Sequence, residues 1–216
     1  MIKLISNDSR QANADLLTAM HRGRAAVFGE KLGWDVRIED GCEIDVFDQE
    51  NPLYLVAIDD ETGRASGSLR LMPTTGRTLL RDVFVDVFDE PVDIMSANIW
   101  EATRFCVHPD APVRRTPTNL HRATCELSLA MCEVGLRAGL TQVIGVFDTR
   151  MIRVYRRIGW EPEVIATTDK MAHGRIYVGL WDVTEEALAN MRACSGIEGS
   201  VIETSDAGSV VPVLAA

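Results

Sequence analysis

The chain has 216 residues, 22 of them basic and 32 acidic, and so carries a formal net charge of −10. That surplus of acid excludes a general nucleic-acid binder, which needs Lys and Arg in excess to neutralise phosphate, and favours a cationic partner among charged ligands. The length suits one domain; the first residues lack the apolar run of a signal peptide and no later run could span a bilayer, so a cytoplasmic protein without a membrane span is expected.

Residues 10 to 32 read as a helix, with Leu16, Leu17, Met20, Ala25, Val27 and Phe28 at helical spacing and Gly33 to end it. The acidic stretch 35–51 breaks the period and is expected to be a surface loop of solvated charge. LYLVAI (53–58) and ASGSLRLM (65–72) are β-rich runs joined by DDETGR, the signature of an antiparallel hairpin. From Ile99 to Val107 apolar and polar residues alternate as in a half-buried strand, whose polar positions include Glu101 and Arg104. Their odd separation demands a bulge or twist if both are to reach one site.

Past Thr116, with Pro117 at the expected first position, Leu120, Ala123, Leu127, Ala130, Met131 and Val134 mark one face of a central helix that stops near Gly139. A strand at 141–147, a short basic helix at 150–157, a strand at 176–181 and a helix at 185–191 follow. The expected fold is α/β, a sandwich with helices on both faces of the sheet, in one domain over 1–195, with a flexible tail at 196–216.

Three groups of residues are unusual for a core. Arg24, Phe28 and Trp34 could make a lid over a flat, charged ligand, or could be aromatic packing beside a surface arginine. Asp45 and Asp48 lie within reach of one cation if their loop folds back, or are simply solvated. Arg70, Arg104 and Glu101, in strands whose inward faces should be apolar, form either a structural ion-pair network or an active site. Five cysteines, an odd number with no CxxC pair, suggest neither a disulfide framework nor a zinc site, and His21, His108, His121 and His173 lack ligand spacing, so no metal is expected.

The segments MHRGRAAVFGEKLGW, EIDVFD, SLRLMPTTGRTLLRDVF and WEATRFCV resemble, in order and spacing, the successive motifs of the LuxI-type acyl-homoserine lactone synthase family, and RRIGW continues the likeness more loosely. The resemblance implies a fold similar to GNAT acyltransferases, an α-β-α sandwich with a mixed central sheet. It implies synthesis of a quorum-sensing signal from S-adenosylmethionine, as a substrate and not a cofactor, and an acyl thioester carried by acyl carrier protein or CoA. The family's positions are filled by Arg24, Phe28, Trp34, Asp45, Asp48, Arg70, Phe84, Glu101 and Arg104. Thr103 stands where the family often has Ser and keeps the hydroxyl.

On this reading Arg24, Phe28, Trp34, Asp45, Asp48 and Arg104 bind S-adenosylmethionine. Glu101 is the base that frees its amine, Arg104 serves the chemistry too, and Arg70 holds the charged network. Phe84, Gly145, Phe147, Met151 and Val154 line the acyl pocket, and Gly145, where the family often has Thr, implies a preference for chains without a 3-oxo group. Arg150, Arg153, Arg156 and Arg157 could meet an acidic carrier protein or the phosphates of CoA, or could be a solvated face. Two alternatives stay open. One is an ordinary GNAT-type N-acyltransferase, against which VRRTPTNLHRA lacks the glycines that cradle pyrophosphate; the other is an inactive relative that only binds S-adenosylmethionine.

Overall fold

The computed structural model describes residues 1–171 and 174–203. In chain order these form β1 (Ile2–Ile5), α1 (Ala14–Arg24) running on as a π-helical stretch (Ala25–Lys31), and a small hairpin of β2 (Ile38–Glu39) and β3 (Cys42–Glu43). There follow β4 (Leu53–Ile58), β5 (Ala65–Pro73), α2 (Leu79–Asp82), β6 (Ile99–Val107) and α3 (Arg122–Arg137). The chain continues through β7 (Gln142–Asp148), α4 (Thr149–Ile158), β8 (Glu163–Thr168), β9 (Ile176–Asp182) and α5 (Glu185–Ser195). Among the described residues no helix is long and apolar enough to cross a membrane.

Seven strands make one sheet in the order β1-β4-β5-β6-β7-β9-β8, antiparallel except where β6 and β7 run parallel across the α3 crossover. Strand alternation sends Leu55, Leu69, Leu71 and Val143 to one face, where they meet Leu127, Met131 and Val134 of α3 and Met191 of α5 in the main core. On the other face Tyr54 and Val56 meet Met20 of α1, while Ile144 and Val178 meet Leu80 and Phe88. Helices therefore cover both faces of a mixed sheet, as the sequence pattern predicts.

Several expectations are corrected. The first helix starts at Ala14, because Asn7–Ser9 and Gln11–Asn13 form short 3-10 turns in which the Asn13 amide is spent on the Ser9 carbonyl. The central helix starts at Arg122: Thr116 and Leu120 close a turn around Pro117, with Asn119 at φ 59°, and His121 then caps the helix by accepting the Ala123 N–H. The acidic stretch is not simply a solvated loop, since it holds a hairpin and buries Glu43, Phe47 and Asp48. Strands β1 and β8 are too short or too exposed on their faces to announce themselves by period.

The expected flexible tail also changes. Ile197, Val201 and Ile202 are buried, and Ile2 and Val201 share a backbone hydrogen bond of 2.7 Å. The buried Glu133 of α3 holds this segment by accepting from Ser200 at 2.6 Å and from the Val201 N–H at 3.3 Å. The rest of that tail, 204–216, lies outside the described residues.

Gly23 sets how closely α1 approaches the sheet. A Cβ there would lie 2.4 Å from the imidazole of His108, a ring buried at the end of β6. Gly23→Ala should therefore destabilise the chain by about 1–3 kcal/mol through overpacking, even though alanine favours a helix by about 1 kcal/mol. Urea unfolding measures this, and pairing it with His108→Ala should return most of the loss.

Candidate active site

Six charged side chains meet between α1, the β3 loop and the middle of the sheet, and they form a closed ring. Arg24 of α1 pairs with Glu43 at 2.5 Å, Glu43 with Arg104 of β6 at 3.0 Å, and Arg104 with Asp45 at 2.8 Å. Asp45 pairs with Arg70 of β5 at 2.5 Å, Arg70 with Asp48 at 2.9 Å, and Asp48 with Arg24 at 2.9 Å. Each member touches two of opposite sign, and three cations balance three anions. Buried charge is tolerable only when so compensated. Tyr54 adds a hydrogen bond to Asp48 at 2.7 Å, and Thr103 accepts from Arg70 at 2.9 Å.

Local backbone makes the ring possible. Asp45 and Asp48 cap one another across a short 3-10 turn (Val46–Gln49), with the Asp45 N–H donating to Asp48 at 2.8 Å. Between β5 and β6 the register slips: Ser68 faces Cys106 but Arg70 faces Thr103, so β6 has one residue more than β5. Arg104 sits in this bulge at φ 54° and is thereby turned to the face that carries Thr103, which supplies the bulge its odd spacing from Glu101 requires.

Burial raises the Asp48 carboxyl, but the hydrogen bond and charge of Arg24, with Arg70, outweigh it and hold the group well below the usual carboxylate range. The ring is most open at Asp45 and Arg104, whose side chains are 16% and 10% exposed against 5% or less for the others. Beside this opening the Arg104 guanidinium lies 5.4 Å from the Phe28 ring, and Phe28 lies 5.2 Å from Trp34. The π-helical winding and Gly33 at φ 64° place the two rings together, and Trp34 stays exposed.

Glu101 is fully buried outside the ring. Its two oxygens accept the N–H groups of Leu79 and Leu80 at 2.8 and 2.7 Å. Burial pushes its pKa up, against the pull of those amides and of Arg70. Immediately after Glu101 the sheet opens: β6 and β7 pair only from Ile99 with Gln142 to Glu101 with Ile144, then separate. Gly145 is at the root of this wedge, and Phe147, Met151 and Val154 pack on the same side in the main core. Phe84 does not join them. It lies on the opposite face with Leu80, Phe88 and Ile144, because α2 and the segment after it cover the Glu101 side of the sheet.

The structure brings Arg24, Asp45, Asp48, Arg70 and Arg104, drawn from three separate groups in the sequence, into one ring, and adds Glu43 and Tyr54, which the sequence reading does not single out. Glu43 precedes Asp45 by two residues, so in an extended chain both carboxylates leave on one side; that was the available signal. Arg150, Arg153, Arg156 and Arg157 are all exposed on α4, where Arg150 pairs with Asp148, Arg156 with Glu161, and Arg157 donates to the Thr118 carbonyl. The first amides of α3, those of Arg122, Ala123 and Thr124, are taken by Arg114, His121 and His121 respectively, unlike an open pyrophosphate cradle.

The model of the autoinducer synthase family matches residues 7–191. The chain belongs to the autoinducer synthase family. An acyl-homoserine-lactone synthase from Rhizobium etli is 40% identical over 194 residues, 89% of this chain and 89% of the relative. The solved structure of MesI, a CoA-dependent acyl-homoserine lactone synthase, superimposes with a TM-score of 0.81 at 26% identity, covering 94% of this chain and all of that one. A putative N-acetyltransferase from Lactobacillus plantarum shares the fold at a TM-score of 0.53 and 18% identity, over 85% of this chain and 99% of that one. The fold is thus GNAT-like, and the activity of this autoinducer synthase is acyl-homoserine-lactone synthesis, an acyl transfer.

Asp48 supports two buried guanidinium groups at once, so Asp48→Asn should cost about 3–5 kcal/mol in urea unfolding, the usual result of leaving a buried charge unpaired. Asp48 titrates lower in the folded chain than in the unfolded one. Its contribution is therefore complete above the unfolded carboxylate value of about 4 and is lost as pH falls toward the folded value. The acid limb of stability against pH should accordingly be shallower in the variant.

Proposed function

We propose that the open side of the charge ring binds the amino-acid end of S-adenosylmethionine, with Asp45 meeting the ammonium and Arg104 the carboxylate. The reading rests on one observation: the two ring members with exposed surface are an acid and a base, side by side, beside an aromatic pair. Phe28 and Trp34 offer their faces to the sulfonium or the adenine. Arg24, Asp48 and Arg70 hold the geometry from within. S-Adenosylmethionine is then a substrate, and no cofactor is required. A cytoplasmic location fits both substrates.

The acyl thioester enters the wedge between β6 and β7, so that its carbonyl comes to Glu101 and its chain passes Gly145 toward Phe147, Met151 and Val154. Phe84 closes the Glu101 side. Glu101 takes a proton from the ammonium, directly or through water, using the lone pairs its amide partners leave free. Its raised pKa moves it toward the working range of a base. The amine attacks the thioester carbonyl and the C–S bond breaks; of the two protons the nitrogen gives up in becoming an amide, one leaves with the thiol and the other passes from Glu101 to solvent. The carboxylate oxygen then attacks the carbon beside the sulfonium; the C–S electron pair passes to sulfur, methylthioadenosine departs, and the lactone closes. That step needs a near-attack shape more than a catalyst group. The donor, acyl carrier protein or CoA, is held through its phosphate or acidic surface by the exposed arginines of α4.

Purified protein given S-adenosylmethionine and acyl thioesters of both carriers should release thiol and methylthioadenosine in equal amounts. Thiol without methylthioadenosine would mean a plain acyltransferase. Glu101→Gln should reduce turnover on the order of 10²-fold or more, while calorimetric affinity for S-adenosylmethionine changes within a few-fold. Near wild-type turnover would make Glu101 an anchor for Leu79 and Leu80 and nothing more.

A further inference from the structure

Both oxygens of Glu101 are held by two successive amides, those of Leu79 and Leu80, so whatever fixes these amides also fixes the carboxylate. They open α2, a helix of four residues, which is too short to hold its own shape. Arg81 clamps the turn before it. The guanidinium folds back over residues 74–78, where Nη2 donates to the Thr74 carbonyl at 2.8 Å and to the Gly76 carbonyl, and Nε donates to the Thr78 hydroxyl at 3.2 Å. Thr78 in turn caps α2 by accepting the Arg81 N–H at 3.2 Å. The buried Thr74 ties the far end of this clamp to β6, its N–H and hydroxyl both donating to the Ile99 carbonyl, at 3.3 and 2.8 Å, two residues before Glu101.

The clamp also carries a charge that little else cancels. The one acid paired with Arg81 among the described residues, Asp93, is 3.9 Å away and 71% exposed. Across the sheet Glu101 faces apolar neighbours, Met72 of β5 and Ile144 of β7, and Asp82, the other charged residue of α2, is turned to Arg77. Burial pushes the Glu101 pKa up; the Leu80 and Leu79 amides pull it down, and so do the charges of Arg70 and Arg81. Arg70 is already matched in the ring by Asp45 and Asp48, whereas the Arg81 charge is nearly uncompensated.

We propose that Arg81 is a positioning residue for the acyl transfer, one that shapes the turn presenting the Leu79 and Leu80 amides and whose charge keeps Glu101 ionised, ready to take a proton. The proposal rests on the reading of Glu101 as the base. A carboxylate buried this deeply would otherwise tend to keep its own proton near neutral pH, and a base acts only in proportion to its deprotonated fraction. Arg81 works through Glu101 alone, since its partners Thr74, Gly76, Thr78 and Asp93 all lie outside the ring of charges.

The test is the pH profile of kcat/KM for S-adenosylmethionine in wild type, Arg81→Gln and Arg81→Lys, because the acid limb of such a profile reports the free enzyme's base. Arg81→Gln loses the cation and the clamp, both of which favour the ionised carboxylate, so its acid limb should move to higher pH by about half a unit or more, with activity returning above it. Arg81→Lys restores the charge but not the planar fork and should move the limb less. Calorimetric affinity for S-adenosylmethionine should change within a few-fold in both. A merely structural arginine would lower activity at every pH and leave the limb in place, as would a limb set by the substrate's own amine; either result overturns the proposal. If Arg81→Gln does not fold, Thr78→Val, which removes the hydroxyl that Arg81 grips, should move the limb the same way, and an unmoved limb there is equally fatal. Near wild-type turnover in Glu101→Gln would instead overturn the reading of the base, a distinguishable result, and the proposal with it.

Discussion

Four buried charges and two partly buried ones can share one interior only if every one is met, and the closed ring of Arg24, Glu43, Arg104, Asp45, Arg70 and Asp48 is how this chain does it. The ring draws its members from α1, the β3 loop, β5 and β6, so the helix, the loop and the sheet cannot shift independently. Much of what surrounds it serves that demand. Gly23 lets α1 come down on His108, the β6 bulge turns Arg104 inward, and the Val46–Gln49 turn sets two carboxylates at the right spacing. Such an assembly favours specificity over stability, since apolar packing of equal volume would hold the elements together at less electrostatic cost.

The second constraint is the opening in the sheet. Parallel pairing of β6 and β7 stops after Glu101, and from there the strands carry unlike tasks. Up to Glu101 they build a common core; beyond it β6 turns toward the charge ring while β7 turns toward α4. Glu101 stands at the fork, between the polar side of the molecule and the aromatic side formed by Phe147, Tyr155 and Trp181. An acyl transfer needs such a boundary, because one reactant is a charged amino acid and the other a greasy thioester. The structure puts the two environments on opposite faces of the sheet.

Much of this was legible in the sequence, and the gaps have physical causes. Strong periods announce the hairpin, the central helix and the strands β6, β7 and β9, since each has one face committed to the core. The edge strands β1 and β8 lack that contrast. Capping by a tertiary turn, as at Thr116 to His121, overrides the local signal of Pro117. Among site residues, Arg70 and Arg104 stood out because charge is unexpected on those strands, whereas Glu43 hid in a stretch where acids are common. Tyr54 reads as core, and its hydroxyl matters only once Asp48 is seen beside it.

The central claim is that the ring leaves Asp45 and Arg104 open for the two ends of an amino acid while the other four charges hold them in place. Calorimetric affinities of S-adenosylmethionine and of its decarboxylated analogue, for wild type and Arg104→Gln, test it most directly. The account predicts that losing the ligand's carboxylate weakens binding to wild type on the order of tenfold or more, and that the same loss makes little difference to Arg104→Gln. Equal affinity of the two ligands for wild type would contradict it.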